Sequence, residues 1–281
     1  MLCLAGMIAA QAQDDPGGRS ARAARKSELA RLEQRQPALL QAEAAVLAPH
    51  HKGETDIYAI GIAGWATLDV FVKEVDGGLT AIGRVLPIRD RMIRLINHPA
   101  TVAYVPLATL RNFQQAVHDV GKVMDKENDV LVLFMTSHGD RKGVALQLPN
   151  QIIDLTPQDV AAVFKREGIK NRVVIVSACF SGIFVPPLQN ANTIVLTAAD
   201  ATHTSFGCAP ERDWTYFGDA FFRQSLQPGT DFQDSFHHAQ ILIQGWELMD
   251  RAVPSNPQGF FGPALVAKLA PFFQAAPAAG H

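Results

Sequence analysis

Two uninterrupted apolar runs, each opening on a charge and closing in a glycine-containing turn, limit what this chain can fold into more than any other feature. The first spans Asp129 to Asp140 (DVLVLFMTSHGD), the second Arg172 to Gly182 (RVVIVSACFSG). Runs of Val, Leu, Ile and Phe without polar alternation belong to strands covered on both faces. Between them, Thr156 followed by Pro157, with Asp159 three residues on, marks a helix start, and Val160, Val163 and Phe164 continue at helical spacing. Strand, helix, strand is a crossover, and a crossover makes its two strands parallel. Their C-terminal ends then share one edge of the sheet, where open α/β sheets bind ligands. His138 and Cys179, distant in the chain, are therefore expected to meet.

The rest of the chain repeats this alternation. An apolar strand from Asp56 to Gly64 precedes a helix expected to start at Trp65, with Leu68, Phe71, Val72 and Val75 on one face. Gly61 and Gly64 lack the third glycine of a dinucleotide-binding turn, so that reading is set aside. A second strand lies within Arg91 to Ile96, and Thr109 caps a helix carrying Leu110, Phe113, Val117, Val120 and Met124. After Cys179 come a strand at Thr193 to Thr197, a polar loop from Ala198 to Asp213, and helices near Tyr216 to Leu226 and Phe232 to Met249, with a Pro-, Gly- and Ala-rich tail closing the domain. Such alternation predicts a three-layer αβα domain with a mostly parallel central sheet.

Ahead of that domain, which runs over 54–281, residues 1–12 end in an Ala-x-Ala pattern at Ala10 and Ala12 and read as the remnant of a signal peptide without its basic front. This implies a periplasmic or secreted protein, a cytoplasmic one being the alternative. Residues 13–53 form a flexible and helical arm, expected to be solvated and interrupted at Pro37. Its position allows a pro-segment role. No other apolar run approaches the ~20 residues needed to span a bilayer. The net charge of −2 provides no basic field for nucleic acid. Three cysteines, Cys3, Cys179 and Cys208, are too few and too scattered for a disulfide framework or a zinc site, and His50-His51 has no third metal ligand nearby.

A thiol becomes a nucleophile when a base or cation draws off its proton, and a neutral imidazole does this near neutral pH. Gly139, directly after His138, lets the backbone approach a substrate and offer an N–H to a developing oxyanion, and the N–H of Cys179 is a second donor. Taken alone, one Cys and one His fit a small packed residue and a hydrogen-bonded loop residue better than a nucleophile and its base.

The two strand ends, Thr136-Ser137-His138-Gly139 and Ser177-Ala178-Cys179-Phe180-Ser181-Gly182, resemble the paired motifs of the legumain-like cysteine peptidases, family C13. Thr197 to Asp200, Thr204 to Cys208 and Tyr216 to Asp219 look like the segments that follow the nucleophile there, and Met124-Asp125 is closest to bacterial members. The resemblance covers roughly Asp56 to Leu226. It implies a caspase-like fold and hydrolysis of peptide bonds in a peptide or protein substrate, with Cys179 attacking, His138 as acid and base, and the N–H groups of Gly139 and Cys179 holding the oxyanion. No metal or organic cofactor is implied.

Departures from the family pattern bear on specificity. Phe180 stands where legumain has an acidic residue that shapes the pocket, and Gly64 to Thr67, with Trp65, replaces a loop that supplies polar support for the His. Thr204, Ser205 and Asp219 match pocket-lining positions, and Asp219 fits a structural role at a helix start equally well. The preference for cutting after Asn is not carried over; a less polar side chain is expected there. Transpeptidation through the same acyl-enzyme and a non-catalytic caspase-like scaffold stay open beside hydrolysis, as does the oligomeric state.

Overall fold

The computed structural model describes residues 16–274; the signal-like residues 1–12, Cys3 among them, lie outside that range. The strands are β1 (Ile57–Ala63), β2 (Met92–Ile96), β3 (Val130–Thr136), β4 (Val144–Leu148), β5 (Gln151–Leu155), β6 (Asn171–Ser177), β7 (Thr193–Thr197) and β8 (Gln258–Phe261). Six of them form one sheet in the order β2-β1-β3-β6-β7-β8, all parallel except β8, and β4 and β5 make a separate antiparallel hairpin. The helices are α1 (Pro16–Ala45), α2 (Asp69–Val85), α3 (Leu110–Val123), α4 (Pro157–Glu167), α5 (Val185–Leu188), α6 (Tyr216–Gly218), α7 (Phe232–Met249) and α8 (Pro263–Gln274). A π-helical turn over Asp219–Ser225 continues α6.

Alternation along the buried strands splits the core into two layers. Val130, Val132 and Phe134 of β3, with Val173 and Ile175 of β6, face α2, the π-helical turn, α7 and α8. Leu131, Leu133 and Met135, with Val174 and Val176, face α3 and α4 on the other side. The expected three-layer αβα sandwich with a mostly parallel sheet is the fold observed. The helix start at Thr156 is a capping box: the Thr156 hydroxyl accepts from the Asp159 N–H and the Asp159 carboxylate accepts from the Thr156 N–H.

Three details differ from the sequence reading. First, α2 begins at Asp69, leaving Trp65 in the loop before it. Second, α1 runs through Pro37 and is docked along one face, the rest of the helix staying exposed. Leu29 and Leu40 are buried, and the Gln36 carbonyl accepts from the Leu107 N–H and the Asn112 amide, each at 2.8 Å. These anchors on either side of Pro37 hold the helix across its missing N–H. Third, the β4–β5 hairpin, β8 and α8 were not foreseen. No helix among the described residues is long and apolar enough to cross a membrane.

Docking of the arm has a measurable consequence. Gln36→Ala leaves two donors without their acceptor and is expected to cost about 1–3 kcal/mol in urea unfolding. A change within about 0.5 kcal/mol, as for an ordinary surface substitution, would mean that the arm is not anchored there.

Candidate active site

Strands β3 and β6 lie side by side in parallel with Thr136 opposite Ser177. Each chain then runs two residues further to reach His138 and Cys179. The two turns touch: a Cβ added at Gly139 would lie 2.5 Å from the Cys179 carbonyl oxygen and 3.1 Å from the Ala178 Cβ. Only glycine fits that approach. Beyond it the chain folds back at once, Gly139 bridging Val144, with the Asp140 N–H bonded to the Gly143 carbonyl at 3.0 Å. Among the described residues no protein acceptor takes the N–H of Gly139 or of Cys179, so both remain available to a ligand.

The His138 ring is gripped by two aromatic rings, edge to face. Trp65, from the loop after β1, is 4.6 Å away between centroids at 83°, and Phe71, on α2, is 5.2 Å away at 79°. Ring packing therefore orients the imidazole where the family uses polar support, and it favours T-shaped geometry over stacking. Burial holds the His138 pKa below its usual value, which enlarges the neutral fraction able to accept a proton near pH 7. Trp65, expected along a substrate pocket, is placed against this ring.

Cys179 is half-buried at the apex of a sharp turn. The turn is made by Phe180, a non-glycine residue in the left-handed region (φ 57°, ψ 15°), from which a short 3-10 helix, Ser181–Phe184, departs. An aromatic residue in that conformation is strained by roughly 1–2 kcal/mol. The strain is held by the Phe180 N–H, which donates to the His203 carbonyl at 2.9 Å. The Phe180 ring lies under the Arg141 guanidinium, 5.8 Å from its centroid. Ser205 faces the sulfur: its N–H donates to Cys179 Sγ at 3.3 Å and its hydroxyl lies 3.7 Å away.

Of the remaining sequence candidates, Thr204 is exposed on the same loop as Ser205. Asp219 is turned along its own helix, accepting from Arg223 at 2.8 Å and Gln224 at 2.8 Å. Cys208 packs against the α2-side core, and its thiol is pushed up to about 12 by burial first, then by the nearby Glu74 and Cys179. His50 and His51 join Asp56 and Asp129 at the opposite end of the sheet, with ligand atoms close enough to hold a metal. Arg91 already pairs with one of these carboxylates: it lies 3.1 Å from Asp56 and donates to His51 Nδ1 at 2.9 Å. The cluster is read as a structural ion network.

The sequence reading gave Glu74 no role and Phe71 only a place on the apolar face of its helix. Glu74 is fully buried on α2, and its carboxyl accepts hydroxyl bonds from Thr136, Thr215 and Ser177, at the ends of the strands that lead to His138 and Cys179 and at the start of α6. Burial lifts its pKa from 4.5 to about 7 despite those three donors. The available signal was an acid standing three residues after Phe71 on the apolar stripe of α2.

A sequence profile for the peptidase C13 family matches residues 100–260. Among solved structures, caspase-1 from Spodoptera frugiperda is 11% identical, covers 76% of this chain and 93% of its own, and superposes with a TM-score of 0.51. The pro form, titled pro-sf-caspase-1, is 12% identical over 76% of this chain and 90% of its own, with a TM-score of 0.47. At such identity the first likeness shows the caspase-like fold alone. Comparison with curated protein sequences found no match.

Burial of Glu74 and His138 gives opposed pH slopes. Glu74, raised from 4.5 to about 7, contributes stability that is complete below pH 4.5 and lost as pH rises to about 7. His138, lowered from 6.5, contributes stability that is lost as pH falls below 6.5. Glu74→Gln removes only the first slope. The unfolding free energy of the wild type relative to this variant is expected to decline between pH 4.5 and 7 and to level off above; a constant difference across that window would contradict the buried acid.

Proposed function

The chain belongs to the peptidase C13 family, and we propose that it is a cysteine-type endopeptidase working through a Cys179–His138 dyad. The observation that carries this reading is the contact of the two turns in register, with the N–H groups of Gly139 and Cys179 both left unbonded among the described residues. His138 takes the proton of Cys179, and the thiolate attacks the scissile carbonyl carbon. The charge on its oxygen is stabilised by the N–H groups of Gly139 and Cys179. As the C–N bond breaks, His138 gives its proton to the leaving amine, and a thioester joins the acyl half to Cys179. Water, deprotonated by His138, then attacks the thioester; the acid leaves and the thiol is restored.

Phe180 stands beside the nucleophile where the family has an acidic residue, so we assign a less polar side chain before the scissile bond. The Ala10-x-Ala12 pattern supports a periplasmic or secreted setting for peptide or protein substrates.

Cleavage-site profiling on a diverse peptide mixture tests the assignment. The wild type is expected to cut, Cys179→Ala to cut nothing, and His138→Ala to lose roughly 10²–10⁴-fold in kcat. Cleavage that survives Cys179→Ala would refute the nucleophile, and recurrent cutting after Asn would refute the less polar pocket.

A further inference from the structure

We infer that Glu74 is a positioning residue for the dyad: one buried carboxyl ties together the end of the His138 strand, the end of the Cys179 strand and the loop that touches the sulfur. The inference rests on the dyad reading above and deepens it. Thr136 Oγ1 donates to Glu74 Oε2, and Thr215 Oγ1 donates to Oε1 at 2.5 Å. Ser177 Oγ lies 3.3 Å from Oε1 and 3.0 Å from the Thr215 hydroxyl. Thr136 and Ser177 are register partners, and each stands two residues before its catalytic neighbour. A shared acceptor between them fixes the shear of β3 against β6, and with it the offset of imidazole and sulfur.

The third hydroxyl extends the tie to the opposite wall. Thr215 caps α6, its hydroxyl accepting from the Gly218 N–H at 3.0 Å, and the next residue, Tyr216, donates its N–H to the Phe206 carbonyl at 3.0 Å. Phe206 follows Ser205, whose N–H meets the Cys179 sulfur at 3.3 Å. The backbone of α6 closes over the carboxyl so tightly that a Cβ at Gly218 would lie 1.8 Å from Oε1. All three Glu74 partners are hydroxyls on elements that lead to the dyad or to Ser205; Cys208, on the same loop as Ser205, is the thiol that faces Glu74. A residue serving only the packing of α2 has no need of three polar partners there, because an apolar side chain of the same size fills the space without them.

The test combines Glu74→Gln and Ser177→Ala, with His138→Ala as reference. Alkylation of Cys179 by iodoacetamide, located by peptide mass, is followed against pH, and kcat and KM are measured on a peptide that the wild type cleaves. Glu74→Gln is expected to slow alkylation about tenfold at pH 7 and to lower kcat about tenfold while KM stays within about twofold. Ser177→Ala, which removes one tie and leaves the carboxyl in place, is expected to slow alkylation about threefold and to lower the melting temperature by only about 2–4 °C; it decides the matter if Glu74→Gln does not fold. Wild-type alkylation no faster than in His138→Ala would overturn the dyad reading, and the role of Glu74 with it. A fast wild type matched by both other variants would leave the dyad standing and overturn the role of Glu74.

Discussion

The in-register parallel pairing of β3 with β6 is the constraint from which the site follows. Seven residue pairs, from Val130 opposite Asn171 to Thr136 opposite Ser177, fix the two strands against each other. Because side chains alternate with a period of two, a slip of either strand by one residue would exchange its α2-facing and α3-facing sets. Phe134 and Leu133 would trade cores if β3 slipped, Ile175 and Val174 if β6 did. The packing that stabilises the sheet is therefore the same packing that sets where His138 and Cys179 emerge.

What surrounds those two residues is arranged to hold them and leave their polar atoms accessible. Aromatic rings fix the imidazole without occupying its nitrogens in any bond among the described residues. The strained turn at Phe180 lifts the sulfur to the strand tip, where Ser205 offers it an N–H. Strain and burial of this kind oppose stability and concentrate at sites that act on something. The network of His50, His51, Asp56, Arg91 and Asp129 behaves differently: its charges answer one another at the far end of the sheet, fastening the entry of β1 beside that of β3.

The sequence made the buried strands readable because a continuous apolar run has few other uses, and the crossover between β3 and β6 then left one topology for the two turns. Thr156 and Asp159 were legible as a cap because the pairing is local. The β4–β5 hairpin was hidden because Val144 to Leu148 has too mixed a pattern to signal a strand, and four-residue β8 is too short to carry a period. Docking of α1 depends on Gln36 reaching Leu107 and Asn112, partners far away in the chain that no local rule anticipates. Glu74 was missed for a related reason: an acid inside an apolar stripe looks like an error until three hydroxyls from three distant segments converge on it. Asp219 shows the reverse, a residue matching a pocket position whose carboxylate is held by its own helix.

The proposed convergence of sulfur, imidazole and two N–H donors on a single reacting carbon is most directly tested by a crystal structure of the protein soaked with a peptide aldehyde. The expected density joins Cys179 Sγ to the aldehyde carbon, with the hemithioacetal oxygen between the N–H groups of Gly139 and Cys179 and the His138 ring within about 3.2 Å of a reacting atom. An adduct on Cys208, or an oxygen turned away from both N–H groups, would contradict the site described here.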